Sequence, residues 1–382
     1  MELHFKKILI FYFRNRFMYH ALKKILTQRV LGFQKRLIDF NQVMNSKKRI
    51  KNLLLDNEVP KLSSREASEA KSFFKSKGYN LKSTDWHAYF KSVNGEFHKD
   101  YIPLDIFKTK ISPRLNQRLQ WPALLDKNLS YNIFSDFEQP KRVVQNINGF
   151  YYVNDTTVTK SEAIKAVSVN NKSLIIKPSL DSGKGRMVTA FTVEGSMTSY
   201  KDKTIESLFE LYKKDFIVQE FLKQSIEMSS LNPSSLNTLR VMSYLNNKGT
   251  HILSTTARMG SLGSSTDNYS TGGILCGVKE NGQFKSKGYI KKGMVLEKTF
   301  TGVNLGEFIV PNYDKVVSMV KQMHVKVPYF KIISWDIALN HNNLPVMVEY
   351  NTYNQGLEIQ IPNGPLFGEF TDEILAMGLN TN

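Results

Sequence analysis

The sequence is poor in cysteine, because Cys276 is the single one among 382 residues. One cysteine excludes an internal disulfide and any zinc cluster built from cysteine pairs. The seven histidines show no His-Glu-x-x-His or comparable ligand spacing, which argues against a zinc site. These absences indicate a protein of a reducing compartment, and we expect it in the cytoplasm.

Long apolar runs are also absent. The longest run near the start, Ile8 to Phe13, ends at Arg14 and is too short for a signal peptide or a membrane-spanning helix. Apolar residues nevertheless make up 41% of the chain and aromatic residues 12%, which is typical of a globular protein. The length allows two or three packed units with cores of their own.

Positive charge is concentrated at the start. The net charge is +18, and residues 1–52 hold 13 Lys and Arg against Glu2 and Asp39, or +11, which leaves +7 for the rest. Apolar residues there recur three or four apart, and so predict a basic amphipathic helical segment over residues 1–58. They are Leu22, Leu26, Val30, Phe33, Leu37 and Phe40.

Two interpretations of this segment remain open. It can lie on an anionic membrane at the inner face, or it can pack its apolar stripe on the protein and leave a basic face in water. We do not expect nucleic acid as a partner, because the segment lacks the alternating aromatic residues of a base-stacking surface.

The remaining sequence predicts a mixed α+β protein. Ser63 and Glu66 have capping-box spacing for a helix that ends near Gly78. Prolines punctuate the short, mixed signals before residue 150, so we expect a preceding α/β region at 59–150. Strand and helix patterns then alternate through residues 151–382, which predicts two α+β lobes rather than one doubly wound sheet.

A predicted hairpin brings together oxygen ligands. Its strands are Lys331–Leu339 and Leu344–Asn351. A four-residue turn would pair Leu339 with Leu344 and place Asp336 opposite Met347, with Glu349 as the diagonal neighbour of Asp336. Asp336, Glu349 and Asn351 then share the polar face, and this ligand set suits magnesium. The alternative is an ordinary hairpin with a solvated polar face.

A second pattern suits phosphate. Lys177 ends a predicted buried strand, where its ammonium needs an anion. The loop after it, Ser182, Gly183, Lys184, Gly185 and Arg186, offers backbone N–H groups and charge. It is not a Walker A motif, and a Gly-Lys-Gly sequence is also common in plain hairpin turns.

Two further segments are candidate site residues. Gln219, Glu220, Phe221 and Leu222 end a buried strand, where backbone groups can read an adenine edge, although a core strand would look the same. Strand alternation places the Arg240 side chain on the opposite face of the strand from Leu239 and Val241. There it can stabilise negative charge on a transferring group, or form a surface salt bridge.

These segments, in their order along the chain, resemble the ATP-grasp superfamily. Three others resemble its sugar-transfer-associated branch, and the resemblance runs from about Tyr101 to the C-terminus. The three are Leu231–Val241, Asn268–Gly273 and Leu357–Gly364. Two positions depart from the pattern: Ser334 stands where a glycine is common, and Ser225 where this branch often has histidine.

The resemblance implies an ATP-grasp fold, in which two α+β lobes grip ATP, and implies ATP and Mg²⁺ as cofactors. It implies that Lys127 and Lys177 bind the phosphates, that loop 182–186 closes over them, and that segment 219–222 holds adenine. Magnesium would then be bound by Asp336, Glu349 and Asn351, while Arg240 would steady an acyl phosphate.

The resulting hypothesis is an ADP-forming ligase that joins a carboxylate, activated as an acyl phosphate, to an amine. A small-molecule or glycan-linked acceptor in cell-surface polysaccharide biosynthesis is expected by analogy. No Ser/His/Asp or Cys/His nucleophile set is evident, which suits chemistry based on positioning and charge. The alternatives are a phosphotransferase acting on a sugar hydroxyl and a non-catalytic membrane-associated binding protein.

Overall fold

The computed structural model describes residues 36–170, 172–180, 187–264, 267–291, 293–353 and 355–379, with Lys23, Val30, Phe33 and Gln34. The chain divides into two units, residues 1–52 and residues 53–382. In the first unit, residues 36–52 are helical, as predicted, whereas Leu22 and Leu26 lie outside the described residues. No helix in the described parts of the chain is long and apolar enough to cross a bilayer.

The helices of the second unit are mostly short. The first begins at a capping box in which the Ser63 side chain accepts from the Glu66 N–H and Glu66 accepts from the Ser63 N–H, as predicted. The helices are α1 Ser64–Ser76, α2 Asp85–Asn94, α3 Leu104–Ile106, α4 Ser112–Leu115, α5 Trp121–Leu124, α6 Lys127–Ile133, α7 Lys160–Ser168, α8 Ile205–Tyr212, α9 Ile226–Leu231, α10 Tyr313–His324, α11 Gln360–Asn363 and α12 Thr371–Leu379.

A six-stranded antiparallel sheet forms one lobe, with the order β3-β2-β1-β8-β4-β5. Its core lies between the sheet and helices α7 and α8, where Val167 and Phe209 meet Ile176 and Val218. The strands are β1 Arg142–Ile147, β2 Phe150–Val153, β3 Thr156–Val158, β4 Leu174–Pro178, β5 Thr189–Phe191 and β8 Phe216–Glu220, and Val193–Glu194 (β6) pairs separately with Met197–Thr198 (β7).

A seven-stranded sheet forms the other lobe, with the order β13-β12-β11-β10-β9-β14-β15. Helix α10 packs on one face through Val316 and Val320, against Trp335 and Ile337 of strand β14, which lies between β9 and the edge strand β15. The strands are β9 Thr238–Asn246, β10 Gly249–Met259, β11 Ile274–Val278, β12 Phe284–Tyr289, β13 Val295–Leu296, β14 Ile332–Leu339 and β15 Pro345–Asn351.

The β14–β15 hairpin is present, but its predicted register is wrong. Leu339 pairs with Pro345, not Leu344, because Asn340–Leu344 form a five-residue loop in which the Asn340 side chain accepts from the Leu344 N–H. A bulge then shifts the register again, so that Asp336 pairs directly with Glu349.

The bulge also places Met347 and Glu349 on opposite faces of the hairpin. Met347 pairs with Ile337 and is buried in the core, whereas the sequence predicted it on the polar face. On the far side of the bulge, Glu349 lies on the same face as Asp336, and Asn351 pairs with Ser334. Because the two one-residue shifts cancel in parity, Asp336, Glu349 and Asn351 still share one face, as the sequence predicted.

The segment before the six-stranded sheet packs against the C-terminal part of the chain. The Asn116 side chain donates to the carbonyls of Ile332 and Thr352, at 2.9 and 2.8 Å. The Gln360 side chain bridges both backbone groups of buried Ile102, at 2.9 and 3.1 Å. The Tyr350 hydroxyl of strand β15 donates to the Leu124 carbonyl, which holds the chain just before α6 and Lys127 beside β15.

Candidate active site

One pocket gathers four predicted site residues from four elements. It is lined by Lys127 at the start of α6, Lys177 near the end of β4, Gln219 near the end of β8 and Glu349 on β15. The Lys127 backbone N–H donates to the Ser179 carbonyl at 3.0 Å, and its ammonium lies 3.4 Å from a Glu349 oxygen. Residues far apart in sequence therefore place two cations and one carboxylate around the same space.

The Lys177 ammonium is buried, and its side chain has no acidic partner within salt-bridge distance in the described part of the chain. Burial, and after it the neighbouring charge of Lys127, lowers the pKa of Lys177 to about 8, although Glu349 acts in the opposite direction. An anion bound between the two lysines would relieve both effects, and a polyphosphate carries the oxygens to do so.

The strand end at 219–222 has one free backbone donor. The N–H groups of Glu220 and Phe221 donate to the carbonyls of Lys141 and Ser173, each at 2.8 Å. The Leu222 N–H has no acceptor among the residues that the structure describes. The Gln219 side chain lines the pocket of Lys177 and donates to the Tyr131 hydroxyl at 2.6 Å.

The side chains of this segment have different surroundings. The Glu220 carboxylate forms ion pairs with two surface lysines, Lys141 at 3.2 Å and Lys172 at 2.5 Å, so its backbone is better placed than its side chain to contact a ligand. Phe221 and Leu222 line a broad open cleft between the lobes, which Ile226 of α9 also borders.

Arg240 and Asp336 form the centre of the polar face. Nε of Arg240 donates to Oδ1 of Asp336 at 2.8 Å, and its Nη2 donates to Oδ2 at 2.7 Å. The pairing of β9 with β14 places the two residues directly opposite each other. The predicted facing of Arg240 is confirmed, since Leu239 and Val241 are buried in the core.

A second arginine, which the sequence analysis missed, reaches the same carboxylate. Nη1 of Arg258 donates to Oδ2 of Asp336 at 3.3 Å, and its Nη2 donates to Asp267 at 3.0 Å. Burial alone would raise the pKa of Asp336, but the two guanidiniums outweigh it and hold the pKa below its ordinary value. Residue alternation along β10 would have identified Arg258 as a candidate site residue. Arg258 lies on the same face of the sheet as Thr256, which pairs with Arg240 of the neighbouring strand β9.

Asp267 is the other residue that was missed. One oxygen binds Arg258 and the other accepts from the Thr238 hydroxyl, while Arg258 also donates to the Asn268 side chain at 3.1 Å. Burial raises the pKa of Asp267 above its ordinary value, although Arg258 opposes this effect. Its position directly before the Asn268–Gly273 segment was the one signal in the sequence.

Gly273 holds that segment against β10. A Cβ atom there would lie 2.7 Å from the Met259 carbonyl oxygen and 2.9 Å from that of Asn268, so no larger residue fits without a shift. The Gly273 N–H donates to the Asn268 carbonyl at 3.1 Å. The glycine therefore supports the contacts of Arg258 with Asp267 and Asn268.

The predicted magnesium ligands fit the ion in their chemistry. Asp336 and Glu349 are cross-strand partners, and the Asn351 side chain, two residues further, makes no hydrogen bond within the described residues. Two carboxylates and an amide are oxygen ligands of the kind Mg²⁺ takes. No group of three or more His, Cys, Asp or Glu in those residues could hold a metal ion, so the set depends on the amide.

The remaining predicted positions are as follows. The loop from Ser182 to Arg186 lies outside the described residues, so its expected contact with phosphate stays a prediction. Ser225 is buried and caps α9, with its side chain accepting from the Met228 N–H at 3.2 Å. Ser334 accepts from the buried Gln355 side chain at 3.1 Å. Both serines that depart from the family pattern are therefore held by hydrogen bonds.

The fold and the order of these residues agree with a comparison of sequences. The model of the sugar-transfer associated ATP-grasp family matches residues 106–373. The chain therefore belongs to this family and has its ATP-grasp fold, as the sequence predicted. No curated protein matches the chain.

Solved structures resemble the chain only distantly. The L-amino acid ligase of Bacillus licheniformis is 10% identical with a TM-score of 0.38, over 67% of this chain and 48% of that one. The D-alanine–D-alanine ligase of Bacillus anthracis, crystallised with ATP, is 10% identical with a TM-score of 0.39, over 69% of this chain and 67% of that one. D-alanyl-alanine synthetase A of Vibrio cholerae is 14% identical with a TM-score of 0.41, over 67% of this chain and 65% of that one. The chain spans about half to two thirds of these proteins' lengths.

Proposed function

We propose that this protein is an ATP- and Mg²⁺-dependent ligase that activates a carboxylate as an acyl phosphate and joins it to an amine. One observation carries the proposal: Lys127, Lys177 and Glu349 line one pocket, and Glu349 pairs across the hairpin with Asp336, which two arginines bind. The cations that would bind phosphate and the acids that would bind a metal therefore lie next to each other.

The nucleotide takes the pocket and the adjoining cleft. Lys127 and Lys177 bind phosphate oxygens, which stabilises the buried Lys177 ammonium. The free Leu222 N–H donates to the adenine edge, and Gln219, held by Tyr131, lines the wall. The loop 182–186 lies outside the described residues, and we propose that it adds backbone N–H groups and charge to the phosphate contacts.

Asp336, Glu349 and Asn351 would hold magnesium, which would supply charge neutralisation at the phosphates. Both oxygens of Asp336 accept from arginines, so Asp336 would give up part of this pairing to hold the ion. An arginine released in this way would be free to bind an anionic reactant on the same face. Arg240 is the better candidate, because Arg258 keeps Asp267 and Asn268 as partners.

The reaction has two steps. A carboxylate oxygen of the donor attacks the γ-phosphorus of ATP, and the bond to the ADP oxygen breaks. An amine then attacks the acyl carbon, phosphate leaves and the amine loses a proton. Arg240, with Arg258 beside it, stabilises the negative charge on the acyl phosphate and on the tetrahedral species. No side chain has to form a covalent bond, so positioning and charge suffice.

We propose that the acceptor is a small molecule or a glycan-linked group used in cell-surface polysaccharide biosynthesis, on the strength of the family's description alone. The reaction needs ATP, which favours the cytoplasm as the place where it occurs. The identities of the donor acid and the amine are matters for the substrate screen below.

The test is a screen of Mg²⁺-ATP turnover against amino acids and sugar acids, with ADP, free phosphate and product measured together. Ligation releases one phosphate for each amide formed, whereas phosphate retained on a sugar hydroxyl would establish the phosphotransferase alternative. The variant Asp336→Asn/Glu349→Gln should lose turnover. A matched variant of two exposed acids, Asp314→Asn/Glu307→Gln, should keep it. Unchanged biological activity in the first variant would favour a non-catalytic binding protein.

A further inference from the structure

The helix at residues 36–52 and the described residues just before it carry an exposed apolar stripe. Val30, Phe33, Leu37, Phe40 and Met44 recur three or four apart and are each 47–63% exposed. At 3.6 residues per turn these positions fall within a sector of about 80°. Isolated exposed apolar residues need no explanation, but five on one line of a helix indicate a surface that something covers.

Positive charge accompanies the stripe. Residues 36–52 contain five Lys and Arg against one acid, Asp39. By the same helical geometry, Arg36 and Lys47 lie at the border of the stripe, while Lys48 and Lys51 lie in line with it. All four side chains are exposed. An apolar line flanked by long cationic side chains suits the boundary between lipid headgroups and acyl chains, where lysine stems lie along apolar surface and ammonium groups meet phosphate.

We propose that this helix binds the surface of an anionic lipid bilayer, lying parallel to it with the stripe inserted. A second copy of the chain fits less well, because it would bring one basic helix against another, and residues 1–52 hold +11 in each copy. The stripe is too narrow and its flanks too charged for a membrane-spanning helix. The proposal does not depend on the enzymatic function.

Vesicle sedimentation tests the proposal with the purified full chain. The protein should pellet with phosphatidylcholine vesicles that contain about one third phosphatidylglycerol, and much less with phosphatidylcholine alone. The variant Phe33→Ser/Leu37→Ser/Phe40→Ser should lose at least about tenfold in binding. A matched variant of three other exposed apolar residues, Leu119→Ser/Val169→Ser/Val325→Ser, should bind like the natural protein.

The charge is tested separately. Lys47→Glu/Lys48→Glu should also lose at least about tenfold on anionic vesicles, and added salt should weaken the natural protein's binding. Circular dichroism and melting temperature check that each variant folds. Equal binding to neutral and anionic vesicles, or unchanged binding by the stripe variant, overturns the proposal. So does a dimer by light scattering that the stripe variant converts to monomer, if no vesicle binding accompanies it.

Discussion

Replacing Lys177 with methionine should make the protein more stable while it removes ATP turnover. Methionine has a similar length and no charge, and the lysine is only 8% exposed. Burial lowers the pKa of the ammonium from 10.5 to about 8. Since one pKa unit corresponds to about 1.4 kcal/mol, the charged lysine costs the folded state about 3 kcal/mol, an upper limit for the gain.

The pH dependence follows from the same shift. The folded pKa lies below the unfolded value, so the full cost is present below pH 8 and disappears as the pH rises towards 10.5. The stability difference between Lys177→Met and the natural protein should therefore be largest at pH 7 and shrink between pH 8 and 10.5. Other lysines titrate in both proteins, so their effects cancel in the difference.

Urea unfolding at several pH values measures this difference, and ADP release measures the activity. Lys71→Met on the exposed face of α1 is the matched control, for which a change within about 0.5 kcal/mol is expected. A Lys177→Met protein less stable than the natural one at pH 7 would refute the reasoning, because it would mean that the ammonium already has a strong partner. Retained ATP turnover would refute the phosphate-binding role.

Three substitutions test other contacts. Arg240→Lys loses the two-pronged bond to Asp336 and should lower ADP release about a hundredfold with little change in folding, as measured by steady-state kinetics and circular dichroism. Gly273→Ala places a Cβ atom 2.7 and 2.9 Å from two carbonyl oxygens and should cost about 1–3 kcal/mol in thermal unfolding. Trp335→Phe removes the 2.8 Å donor to buried Ser243 and should cost about 1–3 kcal/mol in urea unfolding.

Each of these has an outcome that contradicts it. Full activity in Arg240→Lys would show that a single ammonium suffices on this face. An unchanged melting temperature for Gly273→Ala would mean that the Asn268 segment moves freely. For Trp335→Phe the matched control is Trp121→Phe, whose indole N–H has no hydrogen-bond partner among the described residues. An equal loss in both tryptophan variants would assign the cost to packing alone.

Local patterns predicted the elements and the facing of most site residues. The capping box at Ser63 and the alternation around Arg240 both depend on neighbours within a few residues, and the structure confirms them. Asp336, Glu349 and Asn351 also share one face as predicted, but only because the longer loop and the bulge shift the register twice and the two shifts cancel.

Tertiary structure decided the register and the partners. Alternation does not report a loop one residue longer than expected or a bulge at Val348, and these two features bring Glu349 directly opposite Asp336 and bury Met347. Nor could a linear pattern reveal that Arg258 shares Asp336 with Arg240, because that contact depends on sheet order and side-chain reach across three strands. The sequence alone determined which groups were available and which way most of them faced, whereas packing decided which of them meet.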